Sequence, residues 1–227
     1  MDSDETFAAR ARCGLRFSRM PARRYHEAVW EQIEQGGQPT DFSLRLGFLL
    51  GDGSRGERVL DLGSGEGAFA AALDGAGASV LAADIAQEPL RRAVRTSPAL
   101  QTWLLPSEAE WGLQDASFDV VWAGEVIEHV ADTAGWLSEA RRVLRPRGRL
   151  LLTTPDHGPL TRLHMALSVR AWSARLEPRG EHLRLYTRAS LHTLLAEFGF
   201  AQVSVRGAGG VPGARRVLLA RAIRGRW

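Results

Sequence analysis

Val59-Leu60-Asp61-Leu62-Gly63-Ser64-Gly65-Glu66-Gly67 is the stretch that decides how the chain reads. A short apolar run carries an acid, glycines follow at alternate positions, and Ala68-Phe69-Ala70-Ala71-Ala72-Leu73 opens a helix. This is the strand–turn–helix order that a ligand-binding loop requires. Glycine lets the backbone take positive φ and approach a ligand closely, and a helix start offers unpaired N–H groups with partial positive charge. A dinucleotide loop spaces its glycines G-x-G-x-x-G and seats a pyrophosphate on that helix. Here the spacing is Gly63-x-Gly65-x-Gly67, and Asp61 stands beside it. An acid there repels a pyrophosphate and suits a ligand bearing a cationic amine, so a dehydrogenase is disfavoured.

Outward from this stretch, the next apolar run, Ser79–Ala83, is followed by Asp84. That acid lies roughly 20 residues past the loop, where a carboxylate can take both hydroxyls of a ribose. From Glu57 onward short apolar runs alternate with helical patterns, which argues a parallel sheet. Strands are expected at Arg58–Leu62, Ser79–Ala83, Gln101–Leu105, Phe118–Ala123, Arg149–Thr154, Ala201–Arg206 and Arg215–Arg221. Helices are expected at Glu88–Arg95, at Thr133–Leu144, and from a Thr187 cap to Phe198, where Gly199 ends the last one. The turn-rich Gly207–Gly213 is short enough for a hairpin. Upstream, Tyr25–Glu34 places Ala28, Val29 and Ile33 near one helical face. Asp41 is placed to cap a second helix running through Leu50. Residues 1–56 thus read as a helical arm or cap and 57–227 as the main domain. Pro155–Glu181 reads as an irregular insertion within it, long for a connection and therefore a candidate lid over the acceptor.

At 227 residues and 44% hydrophobic, the chain fits one domain with a substantial core. All 29 basic side chains are arginine, and the net charge is only +3. Clusters at Arg10–Arg24, Arg141–Arg149 and Arg215–Arg226 read as solvated helix faces and strand ends, not as a nucleic-acid surface. No apolar run approaches the ~20 residues of a membrane span. The acidic start, Met1-Asp2-Ser3-Asp4-Glu5, lacks the basic-then-apolar order of a signal peptide, so a cytoplasmic location is expected. The single cysteine, Cys13, permits no intrachain disulfide and no cysteine zinc site.

Four further motifs carry a family resemblance. They are Ser117-Phe118-Asp119-Val120-Val121, Glu125-Val126-Ile127-Glu128-His129-Val130, Arg142-Val143-Leu144-Arg145-Pro146-Arg147-Gly148, and His182-Leu183-Arg184-Leu185-Tyr186-Thr187 with Phe198-Gly199-Phe200. Together with Asp61, the glycine loop and Asp84, they make residues 57–222 resemble the class I S-adenosylmethionine-dependent methyltransferases. The resemblance implies an α/β, Rossmann-like, doubly wound seven-stranded sheet, with six strands parallel and the last antiparallel. It implies that Asp61, Gly63, Ser64 and Gly65 hold the methionine end of S-adenosylmethionine, that Asp84 holds the ribose, and that Ile85 packs on adenine. The family's acid for the adenine amino group falls at Ser107, with Glu108 beside it. Glu125 faces the methionine end on this reading.

Methyl transfer is an in-line displacement in which the protein mainly positions the acceptor and excludes water. His129 is the candidate catalytic base; the competing reading is a histidine that holds its loop through the backbone. Glu125, Glu128 and His129 also form an E-x-x-E-H run that would share one face if helical. The run resembles the metal site of small-RNA 2′-O-methyltransferases, and ubiquinone-pathway O-methyltransferases carry a similar one. His182 stands at the spacing of the fourth ligand, ahead of Tyr186-Thr187-Arg188. Carboxylates with imidazole suit a divalent metal such as magnesium, manganese, iron or zinc. The expected activity is methyl transfer to a small-molecule hydroxyl. The alternatives are an RNA-end 2′-O-methyltransferase and a catalytically inactive cofactor-binding partner subunit.

Overall fold

The computed structural model describes residues 22–175 and 182–225. Cys13, the arginines of residues 10–19 and the last residues of the Pro155–Glu181 insertion lie outside them. Two helices, α1 (Ala22–Gln32) and α2 (Phe42–Gly51), precede the sheet. Then come β1 (Arg58–Leu62), α3 (Ala68–Gly75), β2 (Ser79–Asp84), α4 (Gln87–Thr96), β3 (Gln101–Leu104), β4 (Phe118–Gly124), α5 (Thr133–Val143) and β5 (Leu144–Pro155). The remaining elements are α6 (Pro159–Leu167), α7 (Val169–Arg175), α8 (Arg188–Glu197), β6 (Phe200–Ala208) and β7 (Val217–Arg224).

The strands form one seven-stranded sheet in the order β3-β2-β1-β4-β5-β7-β6. The first five are mutually parallel, and β7 is antiparallel to both β5 and β6. The order reverses between β1 and β4, so the crevice beyond their carboxyl ends is where an open α/β sheet binds ligands.

Strand periodicity explains why the sheet is buried on both sides. Leu60 and Leu62 of β1 join Val121, Ala123, Leu150 and Leu152 on one face. That face is covered by Trp136, Leu137 and Ala140 of α5 and by Leu191 and Leu195 of α8. The alternate residues Val59, Val80, Val120, Trp122 and Leu151 face the other way, under Leu49 of α2 and Phe69, Ala70 and Leu73 of α3. A period of two with apolar residues on both faces is what a doubly covered parallel strand demands.

Several local expectations change in the folded chain. Asp41 does not cap α2: it has φ +50 and no side-chain cap bond. Its carboxylate instead accepts from Arg216 Nε at 3.0 Å, and this partner holds its pKa below the usual carboxylate value. Thr187, by contrast, caps α8 through a capping box with Ser190. Pro155–Glu181 is not irregular throughout, because α6 and α7 occupy much of it. Pro159 sits at the start of α6, where its fixed φ favours a helix and its missing N–H costs nothing. The Glu125–His129 run is a turn, not a helix: Glu125 has φ +58, and His129 N donates to Val126 O at 2.9 Å. Among the described residues no helix is long and apolar enough to cross a membrane.

Leu60 is fully buried in a central strand. Leu60→Ala should therefore lower the unfolding free energy by about 2–5 kcal/mol in a urea titration. A loss well under 1 kcal/mol would contradict a core packed on both faces.

Candidate active site

The loop after β1 is built by backbone geometry that only glycine supplies cheaply. Gly63, Gly65 and Gly67 have φ of +67, +54 and +80. A side chain at Gly63 would also bring a Cβ within 2.5 Å of Val126 Cγ2. The N–H groups of Gly63 and Ser64 donate to Ala83 O at 2.7 and 3.0 Å, which locks the loop across the end of β2. Asp84 then reaches back: Gly65 N donates to its Oδ2 at 3.1 Å and Ala86 N to its Oδ1 at 2.9 Å.

A cleft opens beside this loop. Gly63, Asp84, Ile85, Glu108, Glu125 and His129 all line it. Its apolar wall comes from Leu105, Trp111 and Trp136, the last two edge to face with ring centres 5.9 Å apart. Trp111 is fixed from both ends, its backbone N donating to Glu139 Oε2 at 2.8 Å and its Nε1 to Glu108 O at 2.9 Å. The roof is α1 with the residue after it: His26, Val29, Trp30 and Ile33 face the cleft. The six-membered ring of Trp30 lies against Gly65, about where a Cβ there would point.

Polar contacts hold α1 in place. Arg92 of α4 donates to Trp30 O at 2.9 Å and to Ile33 O at 2.8 Å, and pairs with Glu66 at 3.0 Å and Glu88 at 2.9 Å. Arg23 Nη2 donates to Leu105 O at 2.5 Å. Glu27 accepts from Gln87 N at 2.6 Å at the start of α4, where a carboxylate meets the positive end of the helix.

Asp61, Ser64, Gly65 and Ser107 do not line the cleft. Asp61 is only 1% exposed. Burial pushes its pKa up to about 7, with the Ala70 N–H and Arg45 opposing and Asp84 reinforcing. Its Oδ2 has no hydrogen-bond partner among the described residues. Ser64 is buried nearby with its hydroxyl likewise unpartnered. Ser107 closes a local turn, its Oγ accepting from Glu110 N at 3.0 Å. Glu108 is the one that faces the cleft, with Ala131 N donating to its Oε2 at 2.9 Å and His26 Nε2 at 4.0 Å from Oε1.

A second cluster forms at the turn after β4. Glu128 is buried, and Thr154 Oγ1 donates to its Oε2 at 2.9 Å. His129 Nε2 is 3.9 Å from Glu128 Oε1, and the His129 and His182 rings stand edge to face at 4.8 Å. One ligand atom from each of Glu128, His129 and His182 lies within 4.8 Å of the others. His182 is brought here by backbone stitching: Leu183 N and Arg184 N donate to Glu128 O at 2.8 and 3.2 Å, and Arg184 Nη1 donates to Val130 O at 2.6 Å. Glu125, half-buried in the cleft wall, adds a further carboxylate. Burial raises the pKa of Glu125, and burial with repulsion from Glu125 raises that of Glu128, while Arg45 opposes both.

Arg45 is a residue that motif reading missed. It is buried in α2 with its guanidinium 4.8 Å from the Phe69 ring centre. Its Nη1 donates to Thr40 O at 3.1 Å, and its Nη2 occupies the space where a Cβ at Gly124 would stand. The signal was present in the sequence, because Arg45 is the one charged residue in the largely apolar Phe42–Gly51. Trp30, His26, Trp111 and Trp136 carried no such signal; they meet only in the folded chain.

With the geometry of the cleft in hand, comparison with known proteins is decisive. A family profile described as a methyltransferase domain matches residues 30–205. The chain belongs to the class I S-adenosylmethionine-dependent methyltransferases. The ubiquinone biosynthesis O-methyltransferase of Psychrobacter arcticus is 30% identical over 196 residues, covering 80% of this methyltransferase and 76% of that protein. The enzyme of the same name from Sodalis glossinidius is 31% identical over 165 residues, 68% of this chain and 65% of that one, just under two thirds of its length. In fold, the methyltransferase is similar to the 1,6-didemethyltoxoflavin-N1-methyltransferase of Burkholderia thailandensis, solved with 1,6-didemethyltoxoflavin and S-adenosylhomocysteine. The TM-score is 0.62 at 19% identity, over 88% of this chain and 84% of that one.

The buried acid makes a pH test available. Asp61 has its folded pKa raised from 3.8 to about 7. The folded state therefore binds more protons than the unfolded state between these values, and stability falls as pH rises through that window. Asp61→Asn should flatten the fall in urea midpoint between about pH 4 and pH 7. An unchanged slope in the variant would show that Asp61 ionises in the folded apo protein as it does in water.

Proposed function

We propose that this methyltransferase transfers the methyl group of S-adenosylmethionine to a hydroxyl oxygen of a small, largely apolar acceptor. The observation that carries the proposal is the placement of His129. It lines a cleft walled by leucine, valine and tryptophan, and it sits within reach of both Glu128 and His182. The names of the relatives, ubiquinone biosynthesis O-methyltransferases, support a hydroxyl acceptor.

The residues present fit the methyl donor. Asp61, Ser64 and Gly65 do not line the cleft as it stands, with the Trp30 ring against Gly65; were that contact to open, the unpartnered Oδ2 of Asp61 and the glycine loop would suit the cationic methionine end. Asp84 takes the ribose hydroxyls in exchange for its loop contacts, and Ile85 with Trp111 forms the apolar seat for adenine. Glu108 is the better partner for the adenine amino group, since it faces the cleft and the Ser107 hydroxyl is already engaged. The donor supplies an activated sulfonium methyl. His129 takes the acceptor's proton as the oxygen attacks the methyl carbon, and the C–S bonding pair returns to sulfur. The apolar walls exclude water, the competing nucleophile.

The same cluster fits a divalent metal. On this second reading Glu128, His129 and His182 would hold it, with Glu125 as the adjacent carboxylate, and His129 would be a ligand in place of a base; carboxylate and imidazole donors suit magnesium, manganese, iron or zinc. A bound metal would lower the pKa of an acceptor hydroxyl. The observation in its favour is that Glu128 Oε1 is buried with no hydrogen-bond partner among the described residues, 3.9 Å from His129 Nε2.

Transfer of labelled methyl to a panel of phenols, catechols, amines and RNA oligonucleotides tests the acceptor class. Phenolic or catecholic oxygen should be methylated, and methylation confined to nitrogen or RNA would reject the reading. Dialysis against a chelator, or His182→Ala, should reduce transfer about tenfold or more, with added metal restoring only the dialysed wild type. Full activity in both would reject the metal and leave His129 as the base.

A further inference from the structure

The roof of the cleft carries one polar side chain that a mere cover would not need. α1 and the residue after it turn His26, Val29, Trp30 and Ile33 to the cleft. These follow at i, i+3, i+4 and i+7, so they share one helical face. Three of the four are apolar, as excluding water requires. His26 is half-buried at the first position, and the Tyr25 ring stands edge to face with its own, ring centres 5.3 Å apart.

His26 stands by two carboxylates at the adenosine end of the cleft. Its Nε2 is 4.0 Å from Glu108 Oε1, in electrostatic contact but beyond hydrogen-bond distance. It also acts on Asp84: burial raises the pKa of that acid, the N–H groups of Ala86 and Gly65 oppose the rise, and so does His26. The first turn of α1 sets this register, because Arg23 Nη2 donates to Leu105 O at 2.5 Å and to Pro106 O at 3.1 Å, just ahead of Glu108. Glu108 is therefore met at both oxygens, Oε2 by Ala131 N at 2.9 Å and Oε1 by His26.

An ionised carboxylate only accepts hydrogen bonds. Adenine offers it the 6-amino donor. Hypoxanthine puts an acceptor oxygen there and a donor N–H at the neighbouring ring position. A carboxylate free to swing would follow the donor and bind either base, whereas one held at both oxygens would not. We propose that His26 is a positioning residue for cofactor recognition: from the roof it fixes the Glu108 carboxylate so that Oε1 accepts from the 6-amino group of adenine, which makes the site selective for adenosine over 6-oxo nucleosides. The inference rests on the reading of this cleft as the S-adenosylmethionine site, with adenine seated at Ile85 and Trp111.

Binding of S-adenosylhomocysteine and S-inosylhomocysteine to the full chain tests this. The wild type should bind the adenosine compound about tenfold or more tightly. His26→Ala should narrow that ratio about threefold or more, while His26→Gln, which keeps a donor on the roof, should retain most of it. Glu108→Gln should abolish the preference, since an amide both donates and accepts, and adding His26→Ala should then change the ratio no further. A roof residue with a merely structural role would weaken both ligands equally and leave the ratio as it is. The proposal fails if His26→Ala binds S-adenosylhomocysteine with the wild-type ratio, or if the wild type binds both compounds equally. A wild type that binds no S-adenosylhomocysteine would instead reject the donor reading itself, and this proposal with it.

Discussion

Four carboxylates, Asp61, Asp84, Glu125 and Glu128, are withdrawn from water at the carboxyl ends of β1, β2 and β4, and much of the molecule is arranged around that fact. Isolated buried charge is costly, and proteins respond by pairing it or by raising its pKa. Burial raises the pKa of all four here. Arg45 is the cation that opposes three of these shifts, and it is itself buried at a cost, its pKa lowered by burial first. Its position explains why α2 packs against Phe69 and Trp122 and why residue 124 is glycine. A site with four desolvated carboxyl groups and one buried arginine favours a ligand that brings a cation, such as a sulfonium, an ammonium or a metal ion.

The second constraint is the roof. The cleft would be open if it depended on the sheet alone, and α1 closes it with Trp30 against the glycine loop. Arg92 holds the carbonyls of Trp30 and Ile33 while pairing with Glu66, the acid inside the loop. One guanidinium thus ties the roof to the turn that it covers. A Cβ at Gly65 would stand 3.0 Å from the Trp30 ring, so roof and loop are in close contact here.

The sheet was legible in the sequence because strand periodicity and glycine punctuation are local signals, and Val59–Gly67 contains its own evidence of strand, turn and helix. Asp61 and Asp84 were legible for the same reason; His182 was singled out by the family resemblance, and the fold brings its ring to 4.8 Å from that of His129. What was not legible depends on distance along the chain. The pairing of Asp41 with Arg216 spans 175 residues and overrides the cap that Asp41 would otherwise make. The positive φ of Glu125 follows from β4 running on to Gly124 while Glu125 N donates to Thr153 O on β5. Pro159 reads as a breaker in sequence and acts as a helix starter in the fold. The tryptophan wall assembles from β3-to-β4 connections and α5, and no window of sequence shows it.

The most direct test of the central claim is calorimetric titration with S-adenosylhomocysteine at about pH 6, below the Asp61 pKa of about 7, in buffers of different ionisation enthalpy. If the cationic end of the ligand settles on a desolvated carboxylic acid, binding must expel its proton. The account therefore predicts release of close to one proton at that pH, abolished in Asp61→Asn. Tight binding with no proton release, in the wild type and the variant alike, would contradict it.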